Sequence, residues 1–289
     1  MFDFLNKKIN YFFAGALSKE VNEFFYDKDA LRLHSYVNEK REIDKRNSLG
    51  LKTFVDSGAF TAMTKNIAFD LEAYIDYLNQ NEEHFHLYCQ FDTIPFGEID
   101  GEESAKRTID NYFYMRSKLK NKDKLVYCFH CGEDFKHLEK MLSLDEPIKY
   151  IALGGIAKKN KKIRYEFLDK AFEVIKNSKN PNVKVHGFGL GSIDIVEKYP
   201  FDSVDSTSWI WYGAFGGVFF ENKRVPVSNQ LKDRKNYYTK MKEEDLALLN
   251  KYIEVDNFKI EDLETTPSAR HKFNALQIMR FLNKLEEKK

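Results

Sequence analysis

The chain runs to 289 residues, 43% of them hydrophobic, enough to bury one large core or two smaller ones. Its 46 Lys and Arg against 45 Asp and Glu leave a net charge of +1, so no global field marks a polyanionic partner and any such recognition would be local. No apolar run approaches the ~20 residues of a membrane helix. Three cysteines, Cys89, Cys128 and Cys131, with no secretory leader ahead of them, suit a reducing, cytoplasmic setting.

Apolar, β-rich runs alternate with amphipathic stretches along most of the sequence. The first strand is INYFFAG (9–15), followed by a helix over DALRLHSYVNEKREIDKR (29–46). Then come the strand KTFVDSG (52–58), the helix DLEAYIDYLNQ (70–80), the strand HFHLYCQFD (84–92) and the helix ESAKRTIDNYFYMRSKLK (103–120). The strands KLVYCFHCG (124–132) and IKYIALGG (148–155), the helix RYEFLDKAFEVIKNS (164–178), and the strands VKVHGFG (183–189) and FDSVDST (201–207) continue the alternation. A Gly-rich turn after Trp209 leads to a strand or hairpin, GVFFENKRVPVSN (217–229), and two helices, EEDLALLNKYI (243–253) and SARHKFNALQIMRFLNKLEE (268–287), follow.

Strand–helix alternation favours a parallel sheet with crossover helices, and seven or eight units in this length favour a (β/α)8 barrel of the TIM type. With no linker or low-complexity segment, the expectation is one domain over 1–289 with a helical extension from about 240. Two basic runs, KKNKKIR (158–164) and LKDRKNYYTKMK (231–242), read as solvated helix faces or as a local patch for a polyanion. CFHC (128–131) has zinc-like spacing but lacks the second ligand pair a structural site needs, so no metal is expected there.

Polar residues and glycines gather at the ends of these strands. Asp56, Asp92, His130, Gly154, Gly155, Gly189 and Asp205 each close one of them. In a barrel those ends meet at one mouth, where barrel enzymes place their sites. Singly, each has a plainer reading: Asp56 before Ser57 and Gly58 as a cap, Asp92 before Thr93 as a turn residue, His130 as a satisfied histidine, Gly189-x-Gly191 as a tight turn. Their convergence is harder to dismiss. FDSVDSTSW (201–209) adds a second carboxylate, Asp202, three residues before Asp205, where a merely buried strand would not normally carry two.

VDSGAF (55–60), IALGGIA (151–157), GFGLG (187–191) and FDSVDSTSW resemble, in this order, the motifs of the tRNA-guanine transglycosylases. GGVFFENKRVPVSN and RHKFNALQIMRFL resemble that family's strand after the nucleophile and its closing helix, so the likeness runs through most of the chain. The resemblance implies a (β/α)8 barrel that exchanges guanine in nucleic acid for a 7-deazaguanine base. It implies Asp205 as nucleophile and Asp202 as a structural aspartate, although an alternative register would make Asp202 the nucleophile. It implies Asp56, beside Ser57, as the carboxyl that moves protons on the departing and incoming bases, and Asp92 as the group that binds the base's N–H edge. Gly154, Gly155 and Ile156, with Gly189, would line the base site, and Phe60 and Phe188 would stack the base between them; otherwise both read as core packing. His130 or Cys131 stands where the family carries a base-binding glutamine, a departure from the pattern at the contact to the base carbonyl.

The family's zinc insert of three cysteines and a histidine has no counterpart. No cysteine follows Cys131, and His271 stands near the family histidine without thiolate partners, so no zinc or other cofactor is expected. The shortened chain and the DSGAF variant of the first motif resemble the phage and bacterial relatives that modify DNA, which makes DNA the favoured polymer and tRNA the alternative. A hydrolase using the same carboxylates, or a binding subunit without chemistry, stays open. So does a homodimer, or a helper protein that opens the duplex.

Overall fold

The computed structural model describes residues 9–287, apart from 16, 17, 29, 158 and 222. Eight strands form a closed, all-parallel barrel in chain order: β1 (Asn10–Ala14), β2 (Arg32–Ser35), β3 (Thr53–Asp56), β4 (Phe85–Cys89), β5 (Leu125–His130), β6 (Tyr150–Gly154), β7 (Lys184–Gly187) and β8 (Ser203–Ser206). β8 closes on β1 with Phe12 beside Asp205. The expected (β/α)8 barrel is the fold.

One strand escapes the sequence reading. The stretch 29–46 reads as one helix, yet its first part, RLHS, forms β2 and the helix begins only at Tyr36. Two polar side chains, Arg32 and His34, disguise it, and both are buried. His34 Nδ1 lies 2.6 Å from a carboxylate oxygen of Glu39, which satisfies one ring nitrogen inside the wall. The strand expected over 84–92 is also shorter, ending at Cys89, so Asp92 stands on the loop that follows.

Alternation along the strands fills the barrel interior. Phe12 and Ala14, Leu33, Phe54, Leu87 and Cys89, Val126 and Cys128, and Tyr150 and Ala152 form one buried cluster. Counting on in twos from that cluster, Asp56 follows Phe54, His130 follows Cys128 and Gly154 follows Ala152, so the polar residues top the same inward column. Helices such as Tyr36–Ser48, Leu71–Gln80, Gly101–Lys118 and Lys161–Asn177 fill the crossovers, several started by side-chain caps (Asp70, Asp100, Asn160) that accept a first-turn N–H.

Contacts divide the chain into two compact units. The first holds the barrel: the described residues through Ala14 with Leu31–Ser206. The second takes Gly15–Ala30 and the chain from Thr207 onward. Inside it, the expected hairpin is β9 (Gly217–Phe220) against β10 (Lys223–Pro226), antiparallel. Val218, Phe220, Val225 and Val227 pack there with Leu249, Ile253, Leu263 and Phe273 from the helices Glu243–Val255, Ile260–Thr265 and Pro267–Glu287. Asn274 Oδ1 accepts the Phe219 N–H at 2.7 Å, and its amide donates to the Trp209 carbonyl at 3.1 Å.

Candidate active site at the barrel mouth

Asp205 is the third residue of β8, two positions beyond Ser203 and on the same inward face. Its Oδ1 accepts the Gly189 backbone N–H at 2.9 Å and lies 3.2 Å from His186 Nε2. Gly189 sits at φ +66°, and a β-carbon there would come within 2.9 Å of the Ala157 side chain, so the turn that presents this N–H is one that glycine suits best. His186 Nδ1 lies 2.8 Å from Ser203 Oγ, and Ser203 Oγ 2.7 Å from the Tyr150 hydroxyl. These contacts form one hydrogen-bonded series in which His186 Nε2 faces the Asp205 carboxylate. All three residues are buried. A column of hydrogen bonds therefore rises through the barrel interior to one oxygen of Asp205. His186 carries a ladder role that the sequence reading did not assign; its only signal was the inward parity it shares with Phe188.

Asp56 closes β3, and its Oδ2 accepts the Gly58 N–H at 3.1 Å. Burial pushes its carboxyl up to about 8, and the negative charges of Asp92 and Asp205 push the same way, while the Gly58 bond pulls against them. At neutral pH Asp56 therefore holds a proton. Ser57 is buried beside it, its Oγ accepting the Ala59 N–H at 3.3 Å. Gly58, at φ +84°, starts the helix Ala59–Thr64, and a β-carbon on it would collide with Ser35 Oγ.

Asp92 and His130 form the third part of the mouth. His130 Nε2 donates to Asp92 Oδ2 at 2.8 Å and Nδ1 donates to Glu133 Oε1 at 3.0 Å. Burial alone would strip the ring of its proton, but the hydrogen bonds and charges of Asp92 and Glu133 outweigh it and push His130 up to about 10. Glu133 is itself held from two sides, its Oε2 accepting the His130 backbone N–H at 3.0 Å and its Oε1 lying 2.6 Å from Ser104 Oγ. His130 is thus an imidazolium with both N–H groups spent on carboxylates, which leaves it no donor for a base carbonyl. It holds Asp92 in place. Glu133, three residues on, was not singled out from sequence.

The other expected site residues fall as follows. Gly154 leaves room for the His130 ring, 3.2 Å from where its β-carbon would stand, and Gly155, at φ +74°, faces the Cys131 backbone. Ile156 is fully buried. Phe188 is half-buried, its ring 4.7 Å from that of His186. Phe60 is exposed, with its ring edge-on to Phe96 at 6.4 Å. Asp202 stands apart from all of these. It precedes β8, at the opposite end of the strand from the mouth, where Oδ2 accepts the Val185 N–H at 2.9 Å and Oδ1 pairs with Lys184 at 3.1 Å. There it ties β7 to β8.

Among the described residues no group of three or more His, Cys, Asp or Glu side chains is arranged to hold a metal ion. His271 packs in the second unit against Gly213, and its ring lies edge-on to Trp209 at 6.1 Å. No helix is long and apolar enough to cross a membrane, again among the described residues. A scan against protein-family models finds no match for the chain, and a search of curated proteins finds none either.

Proposed function

We propose that the protein is a base-exchanging transglycosylase that replaces guanine in DNA with a 7-deazaguanine such as 7-cyano-7-deazaguanine. The observation that carries this reading is the pair of inward carboxyls Asp56 and Asp205, one holding a proton at neutral pH and the other braced by Gly189 and His186. Breaking an N-glycosidic bond builds positive charge on the sugar, and a poised carboxylate both stabilises that charge and captures it. Guanine leaves poorly as an anion, so the departing base needs an acid.

In this scheme an Asp205 oxygen bonds to C1′ as the C1′–N9 bond breaks, and the Asp56 proton passes to the departing purine. The incoming 7-deazaguanine gives its N9 proton to the Asp56 carboxylate, N9 bonds to C1′, and Asp205 is released. Each group ends as it began. Asp92, acceptor-only and held by the His130 imidazolium, suits the paired N–H donors of a guanine edge. A base inside a duplex reaches such a mouth only by leaving its stack. The order of VDSGAF, IALGGIA, GFGLG and FDSVDSTSW supports the same reading, and the absence of a cysteine after Cys131 supports DNA over tRNA.

The test supplies purified protein with 7-cyano-7-deazaguanine and either duplex DNA or a tRNA pool, then digests each to nucleosides for mass spectrometry. Modified deoxynucleoside is the expected product. Modification confined to tRNA would move the proposal to the alternative polymer, and guanine release without insertion would replace it with a hydrolase. Silence in both would refute the enzyme.

A further inference from the structure

We propose that the second unit carries a binding surface for a single-stranded polynucleotide, built from Trp211 and Phe215 beside the basic segment 223–242. In a chain whose net charge is +1, this segment holds Lys223, Arg224, Lys232, Arg234, Lys235, Lys240 and Lys242 against one acid, Asp233. All seven cations are exposed. Lys223 is spent on Asp245 at 2.9 Å, and Lys240 donates to the Lys232 and Arg234 carbonyls. Lys232, Arg234, Lys235 and Lys242 form no ion pair with an acid among the described residues. Arg224 lies over the Tyr212 and Phe219 rings at 5.6 and 5.9 Å.

The aromatic part adjoins this segment. Trp211 and Phe215 are 60% and 71% exposed, one turn apart on the helix Ser208–Ala214 and its end, and their rings stack at 6.1 Å with planes 20° apart. Gly216 ties them to the basic segment: its carbonyl accepts the Val227 and Ser228 N–H groups, each at 2.9 Å, and a β-carbon on it would touch Ser228 and Leu231.

Large, stacked, exposed rings joined through Gly216 to a segment rich in unpaired cations fit few partners. A second copy of this face would bring like charges together, and an apolar protein surface would cover the rings while leaving the cations unpaired. A polynucleotide strand meets both needs, with bases that continue the ring stack and phosphates that pair with the cations. Bases already paired in a duplex have no free face to offer, so the occupant is single-stranded.

The experiment uses the full chain and measures binding alone, so it stands or falls apart from base exchange. Fluorescence anisotropy of a labelled mixed-sequence strand of about 20 nucleotides, as DNA and as RNA, is followed across salt concentrations, with the matching duplex and phosphatidylserine vesicles as further arms. The wild type should bind the single strands more tightly than the duplex, as should an Asp205→Ala variant. W211A/F215A should weaken strand binding at least about fivefold while leaving duplex binding unchanged, since each stacked base contributes appreciably. R224A/R234A/K235A should lower the slope of log affinity against log salt by about 2, since each neutralised phosphate of a single strand contributes ~0.7 to that slope. W211F/F215W should restore the binding that W211A/F215A removes, and circular dichroism should show every variant folded. Absence of strand binding at low salt, an unchanged salt slope in the triple variant, or tighter binding to vesicles than to either strand would overturn the proposal.

Discussion

Asp56→Asn isolates the electrostatic cost of the mouth. Asp56 carries its proton up to about pH 8, against 3.8 for an ordinary aspartate, chiefly because burial disfavours its charged form and secondly because the neighbouring Asp92 and Asp205 charges repel it. The folded state therefore binds more protons than the unfolded chain between those two values, and stability falls as pH rises through that window and levels above it. At pH 7 the unfolded side chain is about three units past its own pKa, which at 1.36 kcal/mol per unit bounds the cost near 4 kcal/mol. Asp56 is only partly buried by surface area, so solvent screening reduces this to about 2 kcal/mol. Asparagine keeps an oxygen for the Gly58 N–H and abolishes the titration. D56N should thus be more stable than wild type by about 2 kcal/mol at pH 7, equal to it near pH 4, and inactive in base exchange. Both tryptophans, Trp209 and Trp211, belong to the second unit, so urea unfolding of the barrel is best read by near-ultraviolet circular dichroism of its tyrosines. Parallel stability profiles for the two proteins between pH 4 and 8 would rule out this electrostatic origin.

Three further substitutions test the neighbouring contacts. His130→Gln removes the cation shared by Asp92 and Glu133 and should cost about 3–5 kcal/mol at pH 7 in chemical denaturation; because His130 titrates near 10 when folded and near 6.5 when unfolded, its contribution is complete below 6.5 and lost as pH climbs through 10, so the two proteins should converge in alkali. His186→Phe keeps ring volume but removes the brace on Asp205, and should lower kcat about tenfold to a hundredfold with KM unchanged, a split that a purely structural loss would not give. Asp202→Asn loses a partly exposed pair with Lys184 and should cost under about 1 kcal/mol by thermal denaturation while base exchange continues at the wild-type rate.

What was legible in the sequence was what periodicity encodes. Once FVD, CFH, ALG and SVD are strands, a step of two from a buried residue names the next inward residue, and Asp56, His130, Gly154 and Asp205 appear together without coordinates. β2 stayed hidden because its four residues include Arg32 and His34, whose burial depends on partners supplied by the fold, Glu39 among them. The brace on Asp205 was hidden for another reason. It needs the register that sets His186 beside Ser203 across β7 and β8, and one strand's pattern does not contain its neighbour's offset. Glu133 lies just past β5, where its carboxylate reaches His130 only because the chain turns back there through Gly132, at φ +110°. The division of labour between Asp202 and Asp205 follows from strand direction: three residues along β8 separate one end of the barrel from the other.

In the proposed reaction everything turns on the capture of the sugar by Asp205. That step is read most directly by the intact mass of the protein after incubation with a short guanine-containing DNA strand, quenched by denaturation and followed by peptide mapping of any adduct. One covalent strand per chain is expected, attached within the peptide at Asp205, present in Asp202→Ala and absent in Asp205→Ala. An adduct at Asp202, or undiminished base exchange by Asp205→Ala, would contradict this assignment.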